Sequence, residues 1–193
     1  MIDREKIEYV DLRFMDFPGS WQHKVFTADE FKESTFEEGL GFDGSCVRGW
    51  EAINETDMLL IPVAETARID PFHERKTLSI ICDVKSPVTK KQFARDPRSV
   101  ARKAERYLID SGIADAAMFT PEIEFFVFDR ARYGQNINSA VYEVDSVEGE
   151  WNRYLDDPTN LGNQIRVNEG LFPSPPLDTL GELRNKMADA LMS

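Results

Sequence analysis

Cysteine and histidine are scarce in this sequence, two of each, and that scarcity removes several classes of protein at once. Cys46 and Cys82 cannot build a disulfide framework or a cysteine-rich metal site. Cys82, set in Leu78-Ser79-Ile80-Ile81-Cys82-Asp83-Val84, reads as a small buried apolar residue. His23 and His73 stand isolated and read as surface or structural residues rather than ligands. Basic charge is in deficit, 23 Lys and Arg against 35 Asp and Glu for a net −12, which argues against nucleic acid or an anionic membrane as the main partner. No apolar run reaches the ~18–20 residues of a membrane helix, and Met1-Ile2-Asp3-Arg4-Glu5-Lys6 has no signal-peptide core, so a soluble, cytoplasmic chain is expected. Also missing are a glycine-rich phosphate loop before a helix, a Gly-x-Ser-x-Gly elbow and any internal repeat.

What is present is enough apolar material, 41% of 193 residues, for one sizeable domain or a small domain and part of a second. Ile7 to Phe14 alternates with Val10, Leu12 and Phe14 on one face; a turn at Asp16-Phe17-Pro18-Gly19-Ser20 and a strand from Trp21 to Phe26 complete a hairpin. Thr27 with Glu30 has capping-box spacing for a short helix over Asp29 to Lys32. The glycines of Glu37 to Cys46 predict an irregular loop. Met58 to Pro62 and Thr77 to Val84 read as strands, and the proline-bearing stretch from Ser86 to Pro97 as a domain boundary. Beyond it the spacing predicts a helix over Ser99 to Ser111 ended by Gly112, a strand from Ala116 to Phe128, a short strand from Ala140 to Val144 and a final helix from about Leu177 to Met192 with Leu180, Leu183, Met187 and Leu191 as its stripe. That stripe needs something to pack on.

Two stretches carry candidate chemistry. In Pro121-Glu122-Ile123-Glu124-Phe125-Phe126-Val127-Phe128 two carboxylates interrupt an apolar strand, and alternation puts Glu122 and Glu124 on one face, roughly 6.6–7 Å apart along it. Carboxylates that close need a shared proton, cationic neighbours or metal ions. One reading has one of them in solvent and the other against an arginine such as Arg13 or Arg102; the other is a hard-cation site in which each serves a different Mg²⁺ or Mn²⁺ ion. In Gly41-Phe42-Asp43-Gly44-Ser45-Cys46, Asp43 either stabilises a tight turn or is presented by a loop to a reacting centre. Trp50, after Arg48-Gly49, is ordinarily a core or interface anchor.

Taken together these stretches resemble the N-terminal part of the class I glutamine synthetase family. The resemblance rests on Phe42-Asp43-Gly44-Ser45-Cys46, Gly49-Trp50, Asn54-Glu55-Thr56-Asp57-Met58, Asp70-Pro71-Phe72, Asp96-Pro97-Arg98, Pro121 to Phe126 and Phe172-Pro173-Ser174-Pro175-Pro176, in that order. It implies an α+β fold: a β-grasp domain over 1–96, then over 97–193 the first part of a catalytic domain built on a curved antiparallel sheet. It also implies ATP-dependent joining of ammonium to glutamate through γ-glutamyl phosphate, with two divalent ions. Glu124 would serve the ion nearer glutamate and Glu122 the ion on the nucleotide phosphates. Asp43 would bind ammonium and take its proton in a neighbouring subunit's site, Ser45 and Trp50 would lie on the substrate side of that interface, and the assembly would be a homo-oligomeric double-ring dodecamer.

Three positions depart from the family pattern: Cys46 replaces a serine, Leu171 a tyrosine, and Asn163 to Glu169 lacks a lysine. The first two make the expected ammonium pocket less polar, which a γ-glutamyl-amine ligase for a larger amine would tolerate. A short, inactive homologue that binds or regulates an intact enzyme is a further reading. The remaining metal ligands and most of the nucleotide site of the family lie beyond Ser193, so this chain alone is expected to be inactive.

Overall fold

In the computed structural model, residues 1–50, 57–151 and 164–192 are described, and they form two compact units, Met1–Phe119 and Thr120–Ser193. The expected run Asn54-Glu55-Thr56 and Asn163 lie outside the described residues. In chain order the first unit contains α1 (Ile2–Glu5), β1 (Tyr9–Met15), β2 (Trp21–Thr27), α2 (Thr35–Glu38), β3 (Leu40–Asp43), β4 (Asp57–Pro62), β5 (Arg68–Ile69), β6 (Thr77–Lys85) and α3 (Pro97–Asp110).

The strands make one mixed sheet in the order β2-β1-β6-β4-β3, with β5 on the flank of β6. The β1–β2 hairpin is antiparallel, Leu12 opposite Lys24, whereas β1 runs parallel to β6, Leu12 opposite Ile80. β4 pairs antiparallel with both β6 and β3. Alternation in β1 and β6 sends Val10, Leu12, Phe14, Ile80, Cys82 and Val84 into a core joined by Leu60, Phe31, Trp50 and Phe93. Burial pushes the Cys82 thiol up, as expected for an inert small apolar residue.

The other face of β6 is polar where α3 attaches. Asp83 receives the Arg98 guanidinium at 2.9 Å and that of Arg102 at 2.5 Å. Pro97 opens α3 and Asp96 caps it, its side chain accepting from the Arg98 N–H at 3.1 Å. Gly112 follows at φ +67°, the left-handed conformation that ends helices.

Several sequence expectations change. The Thr27–Glu30 capping box does not form: Ala28–Glu30 is a single 3-10 turn with no side-chain cap from Thr27, because the Ala28 N–H bonds the Glu8 carbonyl and continues the strand pairing. The predicted glycine loop contains β3, an edge strand whose ladder bonds need no side chain at Gly41. Gly39 is required there, since φ is +77° and a Cβ would stand 2.5 Å from Ile61 Cδ1 and 2.9 Å from the Leu60 carbonyl.

The second unit contains β7 (Arg130–Gln135) and β8 (Ala140–Asp145), an antiparallel hairpin, and α4 (Gly181–Met192). β7, Arg-Ala-Arg-Tyr-Gly-Gln, has no apolar alternation and escaped the sequence reading. The strand expected over Ala116 to Phe128 has no ladder partner among the described residues, and Ile123, Phe125, Phe126 and Phe128 are exposed. A strand is completed by its neighbour, and the apolar pattern of this stretch specifies burial that the described residues do not supply. The stripe of α4 is likewise unburied. No helix among the described residues is long and apolar enough to cross a membrane.

Candidate active site

Asp43 ends β3, and its side chain caps the 3-10 turn Gly44–Cys46. One oxygen, Oδ1, accepts from the Ser45 backbone N–H at 2.9 Å and from the Ser45 hydroxyl at 2.7 Å. These two donors, the hydroxyl foremost, hold the exposed Asp43 carboxyl below the usual carboxylate range. Both bonds fall on Oδ1, so neither competes for Oδ2. The turn runs on through two reverse turns, Val47 N–H to Gly44 carbonyl at 3.1 Å and Trp50 N–H to Val47 carbonyl at 3.2 Å.

Trp50 fixes the end of that turn. It is 1% exposed, with ring centroids 5.1 Å from Phe93, 5.5 Å from Phe14 and 6.0 Å from Phe42. The structure therefore places Trp50 under the Asp43 turn, in the core of its own unit. Its indole Nε1 has no hydrogen-bond partner among the described residues. Cys46 is exposed.

Glu122 and Glu124 lie in the second unit, both exposed. The rings of Phe126 and Phe128 stack at 5.8 Å and 6°; an extended backbone through Glu122 and Glu124 would set those two side chains on one face. The two arginines that the sequence reading named beside the pair belong to the first unit, and each has an aspartate partner there. Arg13 binds Asp11 at 2.8 Å and Asp70 at 2.5 Å, and Arg102 binds Asp83. Two carboxylates are the donors a hard divalent cation takes. Among the described residues no group of three or more His, Cys, Asp or Glu is arranged to hold a metal ion, so the pair fits such an ion as part of a larger ligand set.

The first unit is a mixed sheet that carries a capped carboxylate on an edge turn, and the second unit holds the glutamate pair. Residues 6–87 match the family model described as "Glutamine synthetase, beta-Grasp domain", and residues 94–193 match "Glutamine synthetase, catalytic domain". The chain belongs to the glutamine synthetase family. Among curated relatives it is 49% identical over 99% of its length to a glutamine synthetase of Aquifex aeolicus, covering 40% of that protein, and 48% identical over 98% of its length to one of Mycobacterium bovis, again covering 40%. The chain thus spans about 40% of the length of the relatives it matches. The cryo-EM structure of Plasmodium falciparum glutamine synthetase superimposes with a TM-score of 0.82 over 98% of this chain and 37% of that one, at 19% identity, which shows the shared fold.

Sequence reasoning missed Arg95, whose guanidinium grips the carbonyls of Gly49 and Trp50. The only signal was an arginine in a proline-bearing linker, which does not reveal its partners.

Proposed function

We propose that these residues serve a glutamate–ammonia ligase, an ATP-dependent enzyme that makes glutamine. The observation that carries this is 49% identity to a glutamine synthetase across 99% of the chain. In this reading the β-grasp domain occupies 1–96 and the catalytic domain begins at 97, the assembly is a homo-oligomeric double ring of twelve chains in the cytoplasm, and Asp43 works in a neighbour's site.

The side-chain carboxylate of glutamate takes the γ-phosphoryl group of ATP, releasing ADP; ammonia then attacks the acyl carbon, phosphate leaves, and a proton must be removed from nitrogen. Asp43 holds ammonium and takes that proton. A carboxylate is anionic at neutral pH and the Ser45 donors further favour that form in Asp43, the state that attracts a cation and can accept a proton. Ser45 orients the carboxylate, and Trp50 supports the turn from beneath. Members of the family generally use ATP and divalent metal ions; here Glu124 and Glu122 would hold Mg²⁺ or Mn²⁺, Glu124 the ion nearer glutamate and Glu122 the ion at the nucleotide phosphates, whose charge would be neutralised there. Among the described residues no group of three or more candidate ligands is arranged to hold an ion, so residues 1–193 by themselves are expected to bind metal weakly at most and not to turn over.

The test joins residues 1–193 to the corresponding remainder of the Aquifex aeolicus relative and assays the product with ATP, glutamate and either ammonium, methylamine, ethanolamine or a polyamine. Glutamine formation with ammonium preferred supports the reading. Preference for a larger amine, the alternative that Cys46 and Leu171 suit, overturns it.

A further inference from the structure

The turn that presents Asp43 is organised at its near end by Ser45. Its far end, Arg48 and Gly49, is exposed backbone, with Gly49 at φ +82°. Two successive carbonyls there converge on one side chain: Arg95 Nη1 donates to the Gly49 carbonyl at 3.1 Å and also to that of Trp50. A guanidinium suits this task because it is always charged and carries its donors in a rigid fork.

The base of Arg95 is itself anchored on both sides. Two residues before it, the Phe93 N–H bonds the Val84 carbonyl of β6 at 2.8 Å and the Phe93 ring packs on Trp50 at 5.1 Å. One residue after it stands Asp96, fully buried, capping α3 and accepting from the Val84 N–H at 3.5 Å. The side chain therefore spans from the junction of β6 and α3 to the far end of the turn. From the Trp50 backbone the effect can reach Asp43 through contiguous bonds: Trp50 N–H to Val47, Val47 N–H to Gly44, and the Ser45 donors to the carboxylate.

We propose that Arg95 is a positioning residue for Asp43: by fixing the Gly49 and Trp50 carbonyls it sets the rotation of the turn and so the place of the Asp43 carboxylate. This rests on the reading of Asp43 as the group that meets ammonium, and deepens it. Arg95 touches the turn and not the reacting atoms, so its loss is read at Asp43 itself, several residues along the chain from the bonds that are removed.

The experiment follows the Asp43 carboxyl carbon by NMR titration, and hydrogen exchange of the Ser45 amide, in the whole chain and in its R95M, R95K and R95Q variants, without ATP, glutamate or ammonium. In R95M, which keeps the aliphatic stem and loses every donor, the Asp43 midpoint moves up toward the ordinary value of about 3.9 and Ser45 exchanges about tenfold faster or more, as expected for loss of a local closing free energy. R95K restores part of both effects. A folded R95M, established by an unchanged near-ultraviolet spectrum and a cooperative melt, that shows the wild-type Asp43 midpoint and Ser45 exchange overturns the proposal. If R95M does not fold, R95Q, which keeps an N–H donor, carries the comparison: an intermediate Asp43 shift supports the proposal and wild-type behaviour overturns it. Because no substrate is present, failure of the ligase reading shows in the amine assay and leaves this measurement intact.

Discussion

The Ser45 hydroxyl and the Ser45 backbone N–H meet on a single oxygen of Asp43, at 2.7 and 2.9 Å. S45A removes the hydroxyl and keeps the amide, so the Asp43 pKa rises part of the way toward its ordinary value, measured by carboxyl-carbon NMR titration. The folded-state pKa of Asp43 is depressed. Its contribution to stability is therefore present above the unfolded pKa and lost as pH falls through the folded one, and S45A shrinks that acid-side loss.

Trp50 is held by three aromatic neighbours with its indole nitrogen unpaired among the described residues. W50A is expected to cost about 3–5 kcal/mol in urea unfolding, the usual toll for emptying a large buried aromatic site. W50F keeps much of the ring contact and removes the unpaired N–H, and should cost under about 2 kcal/mol. Equal losses in the two variants would mean that the indole nitrogen is satisfied in solution.

Asp83 joins β6 to α3 through two arginines. D83A leaves two guanidinium groups without their carboxylate and should cost about 2–3 kcal/mol, below the figure for a fully buried pair because both arginines are partly exposed. R98A alone should cost less, since Arg102 keeps its bond, and a double-mutant cycle between D83A and R98A measures the coupling. Amide exchange in α3 should rise with D83A; unchanged protection there would show that the helix is held by other contacts.

Burial pushes the carboxyl of Asp96 up, against the Arg98 and Val84 N–H groups that favour its charge. A folded pKa above the unfolded one means that the folded state binds the extra proton. The stability this contributes is present below the unfolded pKa and is lost as pH rises through the folded one. D96N keeps a capping oxygen and cannot ionise, so its urea midpoint should fall less than that of the wild type as pH rises from 4 toward 7. Parallel pH profiles for the two proteins would contradict the assignment.

Much of the first unit was legible because its signals are local. The alternation of Val10, Leu12 and Phe14, the apolar run of β6, and the periodicity and Gly112 stop of α3 each state their own structure. What was not legible depends on partners distant in sequence. Gly41 looks like loop until β4 pairs with it. The stretch from Ala116 to Phe128 looks like a buried strand, and the described residues offer it no neighbour. At the site, the Asp43 turn could be read from Asp-Gly-Ser and a core place for Trp50 was one of two readings of that tryptophan, but the grip of Arg95 on the Trp50 carbonyl, 45 positions away, could not be read.

The central claim, that the Asp43 carboxylate meets ammonium in a glutamate-dependent ligase, is tested most directly by D43N in the chimera of residues 1–193 with the remainder of the Aquifex aeolicus relative. kcat/KM for ammonium should fall by about 10²–10⁴, the range for a lost proton acceptor, while the KM for ATP changes little. Wild-type ammonium kinetics in folded, fully assembled D43N would contradict the account.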